Sequence, residues 1–117
     1  MGTIAIANII LEGNQNDTLD LTGVSTNVLL EKAAGNLDLI VTENVSLRGV
    51  VEGALTLSGN GNITLTGAVV CQQFNRDNFT GTINLNGYWF DYSTTIFWIY
   101  ATDSNVFETW RITGGIA

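Results

Sequence analysis

The sequence predicts an all-β protein, a short β-solenoid in which each turn of the chain, here called a rung, takes about 18 residues. The first observation is a repeated unit of alternating apolar and polar residues that ends in glycine, which is typical of a half-buried strand. The second is that these units recur at a fixed period. The third is an uneven composition, because every aromatic residue lies between Phe74 and Trp110.

The alternating units predict strands of about five residues each. Six units end in glycine: Ile9-Leu11-Gly13, Leu19-Leu21-Gly23, Val45-Leu47-Gly49, Leu55-Leu57-Gly59, Ile63-Leu65-Gly67 and Ile83-Leu85-Gly87. Leu37 and Leu39 show the same alternation without the glycine. Asn, Thr and Gly are abundant and disfavour helices, so helix is expected only as one or two turns between Asn27 and Ala34.

The spacing of the units indicates how the strands are arranged. One constant step, equal to the predicted rung, separates the first apolar residues of several units: Leu19, Leu37 and Leu55, and again Val45 and Ile63. A fixed period with two short strands per repeat predicts parallel rungs stacked about 4.8 Å apart. The period is interrupted near Asn27 and Gln73, and Ile83 comes two residues late. The alternative is an antiparallel β-sandwich, whose strands also recur at intervals of about 8–12 residues.

Composition bounds the domain organisation and excludes several function classes. The 117 residues are expected to form one domain, with the strand stack over residues 8–87 and an aromatic segment over residues 88–117. The absence of histidine excludes His-based acid–base catalysis and His metal ligands. The single cysteine, Cys71, excludes an internal disulfide and a thiolate zinc cluster. A net charge of −7 excludes a basic surface for nucleic acid. We therefore expect no catalytic residue, no metal and no cofactor.

The chain carries no recognisable targeting or membrane segment. Its first positive charge is Lys32, so Met1 to Leu11 lacks the basic start of a secretory signal peptide. No apolar run approaches the roughly 20 residues of a membrane span. A soluble protein is expected.

Two acidic features have a possible chemical interpretation. Asp20 and Asp38 are separated by the same step as the strand units, so a stack of constant period places them one above the other on the outer face. A carboxylate pair can hydrolyse glycosides, but we favour a solvated outer face and expect no enzyme. The segments from Asn14 to Asp17 and from Asp103 to Asn105 offer oxygen ligands for calcium, yet neither has the spacing of a calcium-binding loop. Both predict ordinary turns.

The aromatic segment has three interpretations: the core of a cap over the last rung, a platform that stacks on sugars, or an assembly surface. Trp and Tyr are enriched at the centres of interfaces, because they bury a large area at a small entropic cost. We favour a combination of core and interface. The residues expected to form the interface are Tyr88, Trp89, Phe90, Tyr92, Phe97, Trp98, Tyr100 and Trp110.

The strand sequences Asn44-Val45-Ser46-Leu47-Arg48-Gly49 and Asn62-Ile63-Thr64-Leu65-Thr66-Gly67 resemble those of β-helical structural proteins of bacteriophage virions. The resemblance spans about residues 8–87 and contains no diagnostic motif, so it assigns no functional residue. It implies a non-enzymatic protein on the virion surface, either a homotrimeric capsid decoration (cement) protein or a tail component. Its partners would be its own copies and a capsid or tail protein. The alternatives are a carbohydrate-binding module for host attachment, which would bind a glycan, and a bactofilin-like filament-forming protein.

Overall fold

Nine strands make up the part of the chain that the computed structural model describes, residues 3–88 and 90–91 and the backbone of Tyr92. The strands are β1 (Ile4–Ala5), β2 (Ile9–Gly13), β3 (Asp17–Leu21), β4 (Val24–Lys32), β5 (Leu37–Val41), β6 (Asn44–Gly59), β7 (Asn62–Phe79), β8 (Thr82–Asn84) and β9 (Phe90–Tyr92). No helix occurs among these residues, so the all-β prediction is confirmed. The helical turns expected between Asn27 and Ala34 are wrong, because β4 continues as a strand to Lys32.

The strands stack in parallel as a solenoid of about five rungs. Rung 1 consists of β1, β2 and β3, and rung 2 consists of β4 and β5. Rungs 3 and 4 are the long bent strands β6 and β7, and rung 5 consists of β8 and β9. Every strand pairing in the described part of the chain is parallel and joins one rung to the next. The solenoid is therefore confirmed, and the antiparallel sandwich is wrong.

The step from one rung to the next averages about 19 residues and is not constant. The sequence separation between paired residues differs from place to place. It is shorter for Leu37 and Leu55 than for Asp17 and Leu37. It is longest of the three for Val69 and Phe90. The pairing of β6 with β7 contains three register shifts. An extra residue at such a site changes the step without disturbing the alternation of the flanking strands. The fixed period expected from the sequence was therefore too strict.

The two interruptions of the repeat disappear once the true register is known. Near Asn27, the inward positions belong to Thr26 and Val28, which are both buried. Near Gln73, the inward position belongs to Phe74, which packs against the core. The repeat is continuous, but its inward residues are displaced by one position from those that a strictly constant period requires.

Apolar side chains fill the interior in columns that run along the stack. In β5, Leu37, Leu39 and Val41 are buried, while Asp38 between them is exposed. The same inward positions in other rungs are again apolar, as the pairing of leucines and valines between β5 and β6 and between β6 and β7 shows. Each column therefore excludes water along most of the stack.

Glycine is required where the backbones of two rungs come close together, as at Gly49. Gly49 has a φ of 116°, a conformation that residues with a side chain rarely adopt. A Cβ atom at this position would overlap the backbone carbonyl oxygen of Leu30 in rung 2. Glycine at position 49 thus lets rung 3 lie directly on rung 2.

Candidate functional site

In the described part of the chain, no strand covers the outer side of rung 1. Among the described residues, β1 and β2 pair only with β4, and β3 pairs only with β5, so the other edge of each strand has no partner there. Ile4 is 58% exposed and Ile6 is 41% exposed. Ile9 is only partly buried, whereas Val28, its register partner in rung 2, is buried. We call this surface the open end, and its apolar side chains are Ile4, Ile6, Ile9, Leu11 and Leu19.

A shallow groove continues from the open end along the side of the solenoid. It has a volume of about 240 Å³, and Ile10, Leu29 and Arg48 contribute to its lining. These three residues are register neighbours in successive rungs. Ile10 is 59% exposed. Arg48 is also exposed and forms no ion pair with any carboxylate of the described residues. We call this surface the side groove, and it joins apolar area to a positive charge.

A buried lysine ties rung 1 to rung 2 just inside the open end. Lys32 lies over Gly13 in the register, and its side chain is fully buried. Its ammonium group donates hydrogen bonds to the backbone oxygen of Gln15 at 2.5 Å and to Oδ2 of Asp17 at 2.8 Å. A buried ammonium requires such partners, so this contact fixes the connection between β2 and β3.

The core becomes aromatic at the other end of the described stack. The rings of Phe74 and Phe90 lie 4.4 Å apart between centroids with an interplanar angle of 30°. Burial, with a smaller contribution from the charge of Asp91, raises the pKa of the Cys71 thiol to about 12. Burial also raises the pKa of Asp91, and Oδ1 of this carboxyl has no hydrogen-bond partner among the described residues. These groups pack as a core and leave the thiol protonated at neutral pH.

The structure places only part of the predicted aromatic interface. Tyr88 is 37% exposed, and its interface role stays a prediction. Phe90 is fully buried within its own chain, so the expectation that its ring forms an interface is corrected: it is a core residue. Tyr92 contributes its backbone to β9. The remaining residues lie outside the described part of the chain, and their interface role stays a prediction: Trp89, Phe97, Trp98, Tyr100 and Trp110.

The expected stacking of Asp20 on Asp38 is wrong. Asp38 lies beside Thr18 and Asp20 lies beside Ile40, because the step between β3 and β5 is longer than the constant period. Both carboxylates are exposed on the outer strand face. Asp20 accepts hydrogen bonds from the hydroxyl of Thr22 at 2.6 Å and from its backbone N–H at 3.0 Å. These bonds lower the pKa of Asp20, and they give this residue a role in the turn that follows β3.

The oxygen-rich segment from Asn14 to Asp17 uses its side chains within the fold. Asp17 binds Lys32, and Oδ1 of Asn16 accepts a hydrogen bond from the backbone N–H of Asn36 at 2.9 Å. The segment from Asp103 to Asn105 lies outside the described residues. The described segment thus forms the turn between β2 and β3, and its side chains bind rung 1 to rung 2.

Sequence reasoning missed two features of this end. One is the burial of Lys32, which was missed because helical turns were expected there; in a strand, the alternation of Val28 and Leu30 places position 32 in the interior. The other is the open end itself. The apolar residues of rung 1 resemble those of every other rung, so no local signal distinguishes a terminal rung from an internal one.

Comparisons with known proteins assign no role to these surfaces. Neither the family models, nor the curated proteins, nor the solved structures contain a match to this chain. Within the described residues, no helix has the length and apolar character needed to cross a membrane.

Proposed function

We propose that this protein is a non-enzymatic structural subunit of a phage virion, either a capsid decoration protein or a tail component. In this proposal it associates with its own copies as a homotrimer and binds the capsid or tail surface. The observation that carries the proposal is the open end, where Ile4 and Ile6 are exposed beside three strand edges without a partner among the described residues. Solenoids need a polar terminal repeat to stay dispersed, and an uncovered apolar end favours association.

Another copy of this chain fits the chemistry of the open end and the side groove. The net charge of −7 means that every copy presents many carboxylates. Arg48 can pair with one of them, while Ile10 beside it adds apolar contact area. Apolar burial would supply most of the affinity, and the ion pair would mainly set the orientation and the rate of association.

Sedimentation analysis of three proteins, the wild type and two variants, over a range of protein concentrations tests the proposal. The variants are Ile6→Lys, which places a charge on the open end, and Val50→Lys as the matched control. Val50 is an exposed aliphatic residue in rung 3, so the control makes the same kind of change two rungs away from the open end. Circular dichroism verifies that all three retain their strands.

We expect the wild type and Val50→Lys to sediment with the mass of three chains and Ile6→Lys to sediment as a monomer. A wild type that stays monomeric at every concentration contradicts the proposal. An unchanged oligomer in Ile6→Lys places the interface elsewhere and removes the role of the open end. A series of species that lengthens with concentration indicates a filament and contradicts the homotrimer.

The side groove gives a second readout of the same proposal. Arg48→Glu replaces the positive charge of the groove by a negative one. The oligomer of this variant should therefore dissociate at a higher protein concentration than the wild-type oligomer. Added salt screens the attraction of Arg48 in the wild type and the added repulsion in the variant, so it should favour association of the variant more than association of the wild type. An Arg48→Glu variant with wild-type association and salt dependence would show that Arg48 lies outside the interface.

A further inference from the structure

The chain contains two Asn-Gly dipeptides, Asn60-Gly61 and Asn86-Gly87, and the structure places them in opposite surroundings. Asparagine before glycine is prone to lose its side-chain amide, because the small glycine lets its backbone nitrogen approach the asparagine side chain. Both dipeptides have this local sequence, so the sequence alone treats them as equivalent. Any difference in their reactivity must come from the fold.

The first dipeptide is held between rungs. Asn60 is exposed, but Gly61 is buried, and its backbone N–H donates a hydrogen bond to the carbonyl oxygen of Val41 at 3.0 Å. A Cβ atom on Gly61 would overlap the backbone oxygen of Glu43, which shows how little space surrounds this glycine. The nitrogen that would have to react is therefore bonded and fixed in place.

The second dipeptide forms an exposed turn. The backbone N–H of Tyr88 donates to the carbonyl oxygen of Leu85 at 2.8 Å, and the φ angles of Asn86 and Gly87 are 52° and 83°. These values define a type I′ turn between β8 and β9. Gly87 has open space around it and, within the described residues, its N–H has no hydrogen-bond partner. Nothing in the described part of the chain therefore holds the nitrogen that would react.

We propose that Asn86 is a site of spontaneous deamidation and that Asn60 is protected from this reaction by the fold. The backbone nitrogen of Gly87 attacks Cγ of Asn86 and forms a new N–C bond. The Cγ–Nδ2 bond breaks, and ammonia leaves with the proton that the Gly87 nitrogen gives up. Water then opens the resulting five-membered imide at either carbonyl, which yields aspartate or isoaspartate. Water is the only co-reactant, and no oxidant or reductant takes part.

The reaction would loosen the contact between rungs 4 and 5. Nδ2 of Asn86 donates a hydrogen bond to the carbonyl oxygen of Leu65 in rung 4 at 3.2 Å. The product carries a carboxylate in place of this donor, so an oxygen with a negative charge faces the carbonyl oxygen. Asn86 also lies shortly before the buried Phe90. We therefore expect β8 and β9 to open more often after the reaction, while rungs 2 and 3 remain unchanged.

The test is an incubation of the intact chain in mildly alkaline buffer, followed by proteolysis and peptide mass spectrometry. The readout is the fraction of Asn60 and of Asn86 that has exchanged its amide for a carboxyl group. In the folded protein Asn86 should react more than about tenfold faster than Asn60, because a corner that is hydrogen-bonded between rungs opens far less often than an exposed turn. In denaturant the two rates should become similar, since both sites have glycine next.

Equal rates at the two sites in the folded protein, or a faster reaction at Asn60, would overturn the proposal. The proposal would also be overturned if Asn86 did not react in the folded protein although both sites reacted in denaturant. The variants Asn86→Asp and Asn60→Asp test the consequence. Hydrogen exchange in β8 and β9 should quicken in Asn86→Asp and should stay at the wild-type rate in Asn60→Asp. Unchanged exchange in Asn86→Asp would remove the proposed loosening.

Discussion

Replacing Asp17 with asparagine tests how the fold tolerates the buried charge of Lys32. At the 2.8 Å separation of the two groups, an effective dielectric constant of about 20 gives a Coulomb energy of about 6 kcal/mol before any desolvation cost. Loss of one partner of a fully buried pair costs about 3–5 kcal/mol. The Asp17 side chain is 37% exposed, so water can replace part of the lost interaction. We expect Asp17→Asn to lower the free energy of unfolding by about 2 kcal/mol.

Urea denaturation followed by circular dichroism measures this change. With a slope of about 2 kcal/mol per molar urea, the midpoint should fall by about 1 M. Asp38→Asn is the matched control, since Asp38 is exposed on the neighbouring rung, and its effect should stay within about 0.5 kcal/mol. Lys32→Met removes the buried charge itself and should remain within about 1 kcal/mol of the wild type.

The order of the three variants decides whether the reasoning holds. Neutralising Asp17 should cost more than removing the lysine, because only the first change leaves an ammonium group buried without its counterion. An Asp17→Asn protein as stable as the wild type would refute this account, and so would a Lys32→Met protein less stable than Asp17→Asn.

Three further predictions concern the core and its rungs. Gly13 and Gly49 share a φ of 116°, but only at Gly49 would a Cβ meet the neighbouring rung. Replacement by alanine should lower the free energy of unfolding, measured by urea denaturation, by about 1–2 kcal/mol at Gly13 and by at least about 2 kcal/mol more at Gly49. Burial raises the pKa of Asp91 above its unfolded value, so the unfolded chain loses this proton first and stability falls as pH rises between the two values. Asp91→Asn should therefore be more stable than the wild type at pH 7, and thermal melts at about pH 3 should show no such gain. The Cys71 thiol, with its pKa raised to about 12 by burial, should react with iodoacetamide only in the unfolded chain.

The alternation of apolar residues predicted most of the strand segments, and the regular spacing of those segments predicted the solenoid. In β5, for example, Leu37 and Leu39 point inward and Asp38 points outward as the pattern requires. This succeeds because side chains of an extended strand alternate between its two faces whatever the strand pairs with. The same property explains why a stack of short strands was preferred to helices.

The register between rungs could not be predicted, because it depends on residues at the corners. Asp20 lies beside Ile40 and not beside Asp38, since two more residues lie between β3 and β5 than a constant period allows. An added corner residue leaves the alternation within each strand intact, so the sequence pattern contains no record of it. Arguments about which side chains stack therefore required the structure.

The candidate site was only partly accessible to sequence reasoning. Because the C-terminal part is rich in aromatic residues, the sequence predicted the interface there, at residues such as Tyr88 and Phe90. Phe90 is instead buried in the core. Exposure of Ile4 and Ile6 arises from their position in the first rung and not from their residue type. The position of a rung in the stack follows from the whole topology, which no local pattern reports.

Hydrogen exchange as a function of protein concentration tests the proposed association through the open end most directly. If copies pair there, amides of β1, β2 and β3 that have no partner within the described part of the chain should exchange slowly at high concentration and rapidly on dilution. Amides in β6 and β7, which are paired within the chain, should exchange at the same rate at both concentrations. Exchange in rung 1 that is rapid at every concentration, although the protein sediments as an oligomer, would contradict the account.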